Sequence, residues 1–241
     1  MFVEATEVLE CPRCRVGPGL VAVVDEMRER RVVTGYVGCP LCEARYPIRE
    51  RAVDFGPVPN GGREAGASLP YGKPRGAGPT ERREEGPGGA VGEKVRAEPR
   101  IGEGSEALEL AALLGRQPSG GYVLLGPAFL SAATTVGRTC GVEVLALAEG
   151  PGREEEQVTR LLGASATALP VAAGRLRGVV LGGDAAEEVQ EAVRALEVGA
   201  RLVVRSPSVD TREAVAGLPV EILVAEERAI VAVRSGDAGA G

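Results

Sequence analysis

The sequence predicts an α/β protein: a small β module stapled by cysteines, then a larger domain with a parallel sheet covered on both faces by helices. Three observations carry this. Four of the five cysteines stand in two CxxC pairs, Cys11/Cys14 and Cys39/Cys42. From Ser105 onward, short apolar runs alternate with helical patterns. Between the two lies a Gly/Pro-rich stretch with neither period. The expected parts are therefore 1–55, a linker at 56–104, a second domain at 105–235 and a flexible tail at 236–241.

The first part is read from its cysteines. They form C-x2-C-x24-C-x2-C. Two thiolates two residues apart can reach one ion from a single tight turn, and two such knuckles complete a tetrahedral S4 site, which suits zinc. Pro12 and Pro40 each follow the first cysteine of a pair and pre-set the turn. Between the knuckles, "LVAVVDE" and "RRVVTGYVG" read as two strands rich in β-branched residues, joined through Asp25 to Arg30. The rival reading, a redox CxxC, needs one pair opening a helix after a strand; here two pairs sit beside strand-like sequence. With four thiolates and no His in the chain, the site is coordinatively closed, hence structural. Such a site contributes on the order of 10 kcal/mol to folding a module too small for a good core.

The linker holds 13 Gly and 7 Pro among its 49 residues, and both lysines of the chain, Lys73 and Lys94. Its apolar content is too low to offset the entropy of ordering it, so it is expected to be disordered.

The second domain follows element by element. "SEALELAALLGRQ" is an amphipathic helix with Ser105 as its cap. "GYVLLG" is a buried strand and "FLSAATTVGRTC" the helix after it. "VEVLALAE" is a strand, and "EEEQVTRLLGA" reads as a helix whose acidic first turn suits the macrodipole. "LRGVVLGG" is a strand, and "DAAEEVQEAVRALEVG" a helix capped by Asp184. "ARLVVRSP" is a strand, "DTREAVAGL" a short helix, and "VEILVAEERAIVAVRS" a hairpin breaking at Glu226–Arg228. Strands without polar alternation imply a Rossmann-like sheet buried on both sides.

Composition narrows the function classes. The net charge of −6 divides as −1, +1 and −6 over residues 1–55, 56–104 and 105–241, so no segment is a basic patch that announces nucleic-acid binding. No apolar stretch reaches the roughly 18–20 residues of a membrane helix. "MFVEATEVLE" lacks the pattern of a signal peptide, so a cytoplasmic location is expected.

Two resemblances follow from these residues. "LECPRC" with "GCPLCEARYPIRERAVDF" resembles the Trm112-like zinc ribbons, matching at Cys11, Pro12, Cys14, Cys39, Cys42, Tyr46, Pro47 and Ile48 over about residues 7–55. That resemblance implies a ribbon that binds a protein partner, in some members a methyltransferase, and the fused C-terminal region makes a built-in partner an open alternative. The order of elements over about 105–235, with "ALEVGARLVVRSP" and "GASATALPVAAGRLRGVVLGG", resembles class I SAM-dependent methyltransferases.

That second resemblance implies a SAM site, and the residues match it unevenly. Gly126 keeps the first glycine of the expected glycine-rich turn, and Glu149 stands where an acid accepts the ribose hydroxyls. Leu124 occupies the expected position of an acid, and Ala128 and Leu130 occupy later glycine positions. Ser165 replaces the expected adenine-contacting acid, while Leu176 and Arg177 replace a Phe-Asp pair. The expectation is a zinc-binding scaffold or regulatory protein whose methyltransferase-like domain is non-catalytic. The alternative is an active SAM-dependent enzyme acting on RNA or a translation factor. Cys140 reads as a small buried hydrophobe rather than a nucleophile.

Overall fold

The β-branched runs between and after the cysteines form an antiparallel meander of β1 (Val21–Arg28), β2 (Arg31–Gly38), β3 (Arg45–Arg49) and β4 (Ala52–Asp54). The computed structural model describes residues 1–15, 19–56, 103–115, 120–150, 157–165 and 167–236. The expected linker and tail fall almost wholly outside these residues. The turn between β1 and β2 is tighter than expected, with Glu29 and Arg30 alone between the strands and both in the left-handed region.

The α/β part begins with α1 (Glu103–Leu114) and β5 (Tyr122–Leu125). A 3-10 turn over Pro127–Ala132 leads into α2 (Ala133–Cys140), then β6 (Glu143–Ala148), β7 (Val158–Leu162) and β8 (Leu176–Leu181). After these come α3 (Val189–Ala195), β9 (Leu196–Arg205), α4 (Val209–Ala216) and the hairpin β10 (Val220–Ala225) with β11 (Ala229–Arg234). Strands β5 to β9 run parallel in the order β7-β6-β5-β8-β9, and β11 pairs antiparallel with β9, placing β10 at the edge. This is the Rossmann-like α/β fold expected from the sequence.

Three expectations are corrected. The segment read as a helix over "EEEQVTRLLGA" holds β7: Val158, Thr159 and Leu161 are buried, and the run fills the sheet between β6 and β4. A short apolar run with a β-branched start fits either period, and tertiary pairing decides it. Asp184 does not cap α3, which starts five residues later; Asp184 is exposed. Ser105 lies inside the first turn of α1 rather than before it. By contrast, Ser208 caps α4, its hydroxyl accepting from Thr211 N–H at 3.3 Å.

The sequence divides the chain near residue 55, but the sheet does not break there. β4 lies parallel to β7, with Val53 opposite Leu161 and Asp54 opposite Leu162. Phe55 N–H continues the ladder to the Leu162 carbonyl at 2.7 Å. The described residues accordingly make one compact unit. Nothing in "AVDF" announces a pairing so distant in sequence.

Two cores flank the sheet. Successive residues of β5 point to opposite faces: Val123 and Leu125 pack with Leu110 and Leu114 of α1 and Val136 of α2. Leu124 points the other way, into a cluster that runs from Leu9, Tyr46, Ile48 and Val53 of the cysteine module through Leu145 and Leu161 to Val189 and Leu196. The small module therefore has no separate core. At about 25 cal/mol per Å² of apolar surface removed from water, this shared face is where the two parts stabilise each other.

Candidate metal centre and cleft

The two knuckles are built alike. In the first, Arg15 N–H donates to the Cys11 carbonyl at 2.9 Å; in the second, Glu43 N–H donates to the Cys39 carbonyl at 3.0 Å. Arg15 (φ 48) and Glu43 (φ 58) both take the left-handed conformation that turns each chain back on itself. The four Sγ atoms then lie within 4.8 Å of one another, with Cys11–Cys42 and Cys14–Cys39 each at 3.5 Å. A tetrahedron with metal–sulfur bonds of ~2.3 Å has edges of roughly 3.8 Å, so the donor set fits one ion.

The close pairs join one knuckle to the other. None of the four cysteines is joined in a disulfide. Burial pushes the Cys39 thiol up, but the N–H groups of Cys42 and Leu41 together with the Cys14 and Cys42 thiols outweigh it and hold Cys39 down to about 7. The Tyr46 hydroxyl is 3.2 Å from Cys11 Sγ in a buried contact. Four thiolates this close repel one another unless a cation neutralises them, which is the condition a metal would satisfy.

The second candidate is a cleft of about 410 Å³ at the C-terminal ends of the parallel strands. It lies where β6 and β8 leave β5 in opposite directions, the switch point at which such sheets bind ligands. Gly126 follows β5, and Glu149 follows β6; both line the cleft, so the two expected cofactor residues share one wall system. Gly182, Gly183 and Asp184, after β8, complete it with Glu188. An added Cβ at Gly126 would stand 3.3 Å from the Val180 carbonyl, to which the Gly126 N–H donates at 2.8 Å. Close packing on β8 therefore accounts for this glycine in part.

The remaining positions named from the sequence scatter. Leu124 is fully buried in the core shared with the cysteine module. Pro127 and Ala128 touch the cleft, but the 3-10 turn carries Phe129 into the core, and Leu130 packs beside it. Ser165 is exposed and bonds to Thr167 at 2.6 Å. Leu176 is fully buried, and Arg177 stands 3.8 Å from Glu197. Cys140 ends α2 half-buried, its thiol pushed up by desolvation. The sequence reading missed Glu188 as a cleft residue, because the turn over 185–188 shifts the start of α3.

Among the described residues lining the cleft, three carry carboxylates and none is basic. The arrangement disfavours phosphate-bearing ligands and suits a neutral or cationic one. No helix among the described residues is long and apolar enough to cross a membrane.

No protein-family model matches the chain, and no curated protein matches it in sequence. Solved structures are similar in fold. The geranyl diphosphate C-methyltransferase of Streptomyces coelicolor A3(2) is 13% identical, with a TM-score of 0.44 over 50% of this chain and 59% of its own. A SAM-dependent O-methyltransferase from Thermotoga maritima is 15% identical, with a TM-score of 0.44 over 56% of this chain and 66% of its own. The chain thus spans about three fifths to two thirds of these proteins. Their likeness is one of fold.

Proposed function

We propose that the chain is a zinc-binding, methyltransferase-like scaffold or regulatory protein, a pseudoenzyme of the cytoplasm, whose four-cysteine site is structural. The observation that carries this reading is Leu124. Where the methyltransferase resemblance expects an anchoring acid, a leucine is fully buried in the core and turned to the opposite side of the strand from Val123 and Leu125. The turn after β5 then winds directly into a 3-10 segment that places Phe129 in the other core. Function lives in the site rather than in the fold. A Trm112-like ribbon would act on a protein partner, and the exposed Val21, Val24 and Met27 of the edge strand β1 give it apolar surface for one.

A second reading is favoured by Glu149. It stands on the cleft with Gly126, as an active SAM-dependent methyltransferase acting on RNA or a translation factor would need. Isothermal titration of SAM into the metal-loaded chain separates the two. Absence of binding by a folded protein supports the scaffold. Micromolar binding that Glu149→Ala abolishes overturns it in favour of the enzyme.

A further inference from the structure

The residues that flank the first knuckle reach across to α3. Glu10 precedes Cys11, and Arg15 follows Cys14. Arg15 Nη1 donates to both carboxylate oxygens of Glu191, at 2.9 and 3.0 Å. Arg194, one turn further along α3, pairs with the same Glu191. Arg194 also forms an ion pair with Glu10 at 2.9 Å and donates to the Val171 carbonyl at 2.6 Å. Four charges of alternating sign, Glu10, Arg194, Glu191 and Arg15, thus bracket the knuckle against the helix. Main-chain bonds run alongside, from Glu10 N–H to Pro170 and from Ala172 N–H to Val8.

Glu191 is the member under most constraint. It is 9% exposed, and a carboxylate so buried needs its partners in place. One partner, Arg194, belongs to α3 itself. The other, Arg15, is aimed by the knuckle: its left-handed backbone and its bond to the Cys11 carbonyl are the closure of the first CxxC turn. Whatever holds that turn closed also holds Arg15 against Glu191. The chain entering α3, at Ala185 and Glu188, forms one wall of the cleft.

We infer that the first knuckle is an internal docking surface for α3, so that occupancy of the four-thiolate site and the order of α3 are coupled through Arg15 and Glu191. This rests on the reading of the cysteines as a metal site. Coupling of this kind is reciprocal: metal orders the helix, and the helix tightens the metal.

The test uses the full chain, zinc alone as the probe, and Arg15→Gln, which spares the thiolates and the Glu191–Arg194 pair. Zinc affinity is measured by chelator competition, and amide exchange is followed over Val189–Ala195. In zinc-loaded protein, Arg15→Gln is expected to speed exchange of these amides and weaken zinc binding at least about 5-fold, the lower end of ordinary site-to-site coupling. Stripping zinc from the wild type is expected to speed the same amides. Unchanged zinc affinity and unchanged exchange in Arg15→Gln overturn the coupling while leaving the metal reading intact. A purified chain that holds no zinc and takes up none overturns both. Should the stripped protein unfold altogether, the affinity comparison between the loaded forms still decides.

Discussion

Val53 and Leu161 stand opposite each other in parallel register, one at the end of the cysteine module and the other in the third strand of the α/β part. Both are fully buried in the same cluster. Their pairing makes the cysteine module an extension of the larger sheet.

Exchange of Cys39 and Cys42 for Ser should release the metal and lower the stability of the whole described unit. A structural zinc ion contributes on the order of 10 kcal/mol where one binds, and the continuous sheet would spread that contribution beyond the cysteine module. In cobalt-substituted wild type, the visible absorption of the thiolate site and the far-ultraviolet circular dichroism should melt together. Two separate transitions would show that the sheet does not couple the parts.

Gly163→Ala should act at the same joint. Gly163 has φ +60, and an added Cβ would lie 2.4 Å from the backbone N and Cα of Gly56. The left-handed backbone alone costs about 1–2 kcal/mol for a residue with a Cβ, before the clash. A lowered urea midpoint with unchanged metal content checks this; a midpoint equal to wild type counts against the junction as drawn.

Tyr46→Phe should weaken metal binding with little change in fold. The Tyr46 hydroxyl, 3.2 Å from Cys11 Sγ, donates to that sulfur once it is a thiolate. Loss of an outer partner of this kind typically costs ~10–100-fold in metal affinity. Chelator competition reads the effect directly, and the thermal midpoint of the zinc-saturated variant controls for misfolding.

Glu143, at the head of β6, gives a pH dependence. One of its carboxylate oxygens is buried without a hydrogen-bond partner. Burial first, then the Glu4 carboxylate, push its pKa from 4.5 up to about 7, against the pull of Arg31. Between those values the folded chain binds more protons than the unfolded one. The contribution of Glu143 is therefore present below about 4.5 and lost as pH rises to about 7. Glu143→Gln should match wild type near pH 4 and exceed it above pH 7, by about 1 kcal/mol after discounting for partial exposure, or ~2–4 °C. The Met1 amino group, held by desolvation down to about 5, slopes the opposite way. The informative quantity is thus the difference between variant and wild type at each pH.

What the sequence made legible was local. The four cysteines declare themselves by spacing, and the structure brings all four together. β5, β6 and β8 were readable because strands buried on both faces are written as continuous apolar runs. Gly126 and Glu149, named from the methyltransferase resemblance, both line the cleft. β7 was misread because its five residues follow an acidic run and carry both periods. The joint between β4 and β7, and the ion pairs between Arg15 and Glu191, join residues more than a hundred positions apart. Such partners leave no mark in the neighbouring sequence, only in the sheet that forms.

The parallel joint also orders events in time. During synthesis the cysteine module leaves the ribosome well before the strand that completes its fourth edge, since more than a hundred residues separate Val53 from Leu161. Until then β4 presents unpaired N–H and C=O groups, an edge open to any nascent chain nearby. Long-range parallel pairing is slow for the same reason that loop closure is costly. An early metal ion would let the first fifty residues wait in a formed state, and the last step of folding would be the docking of a strand rather than the collapse of a coil.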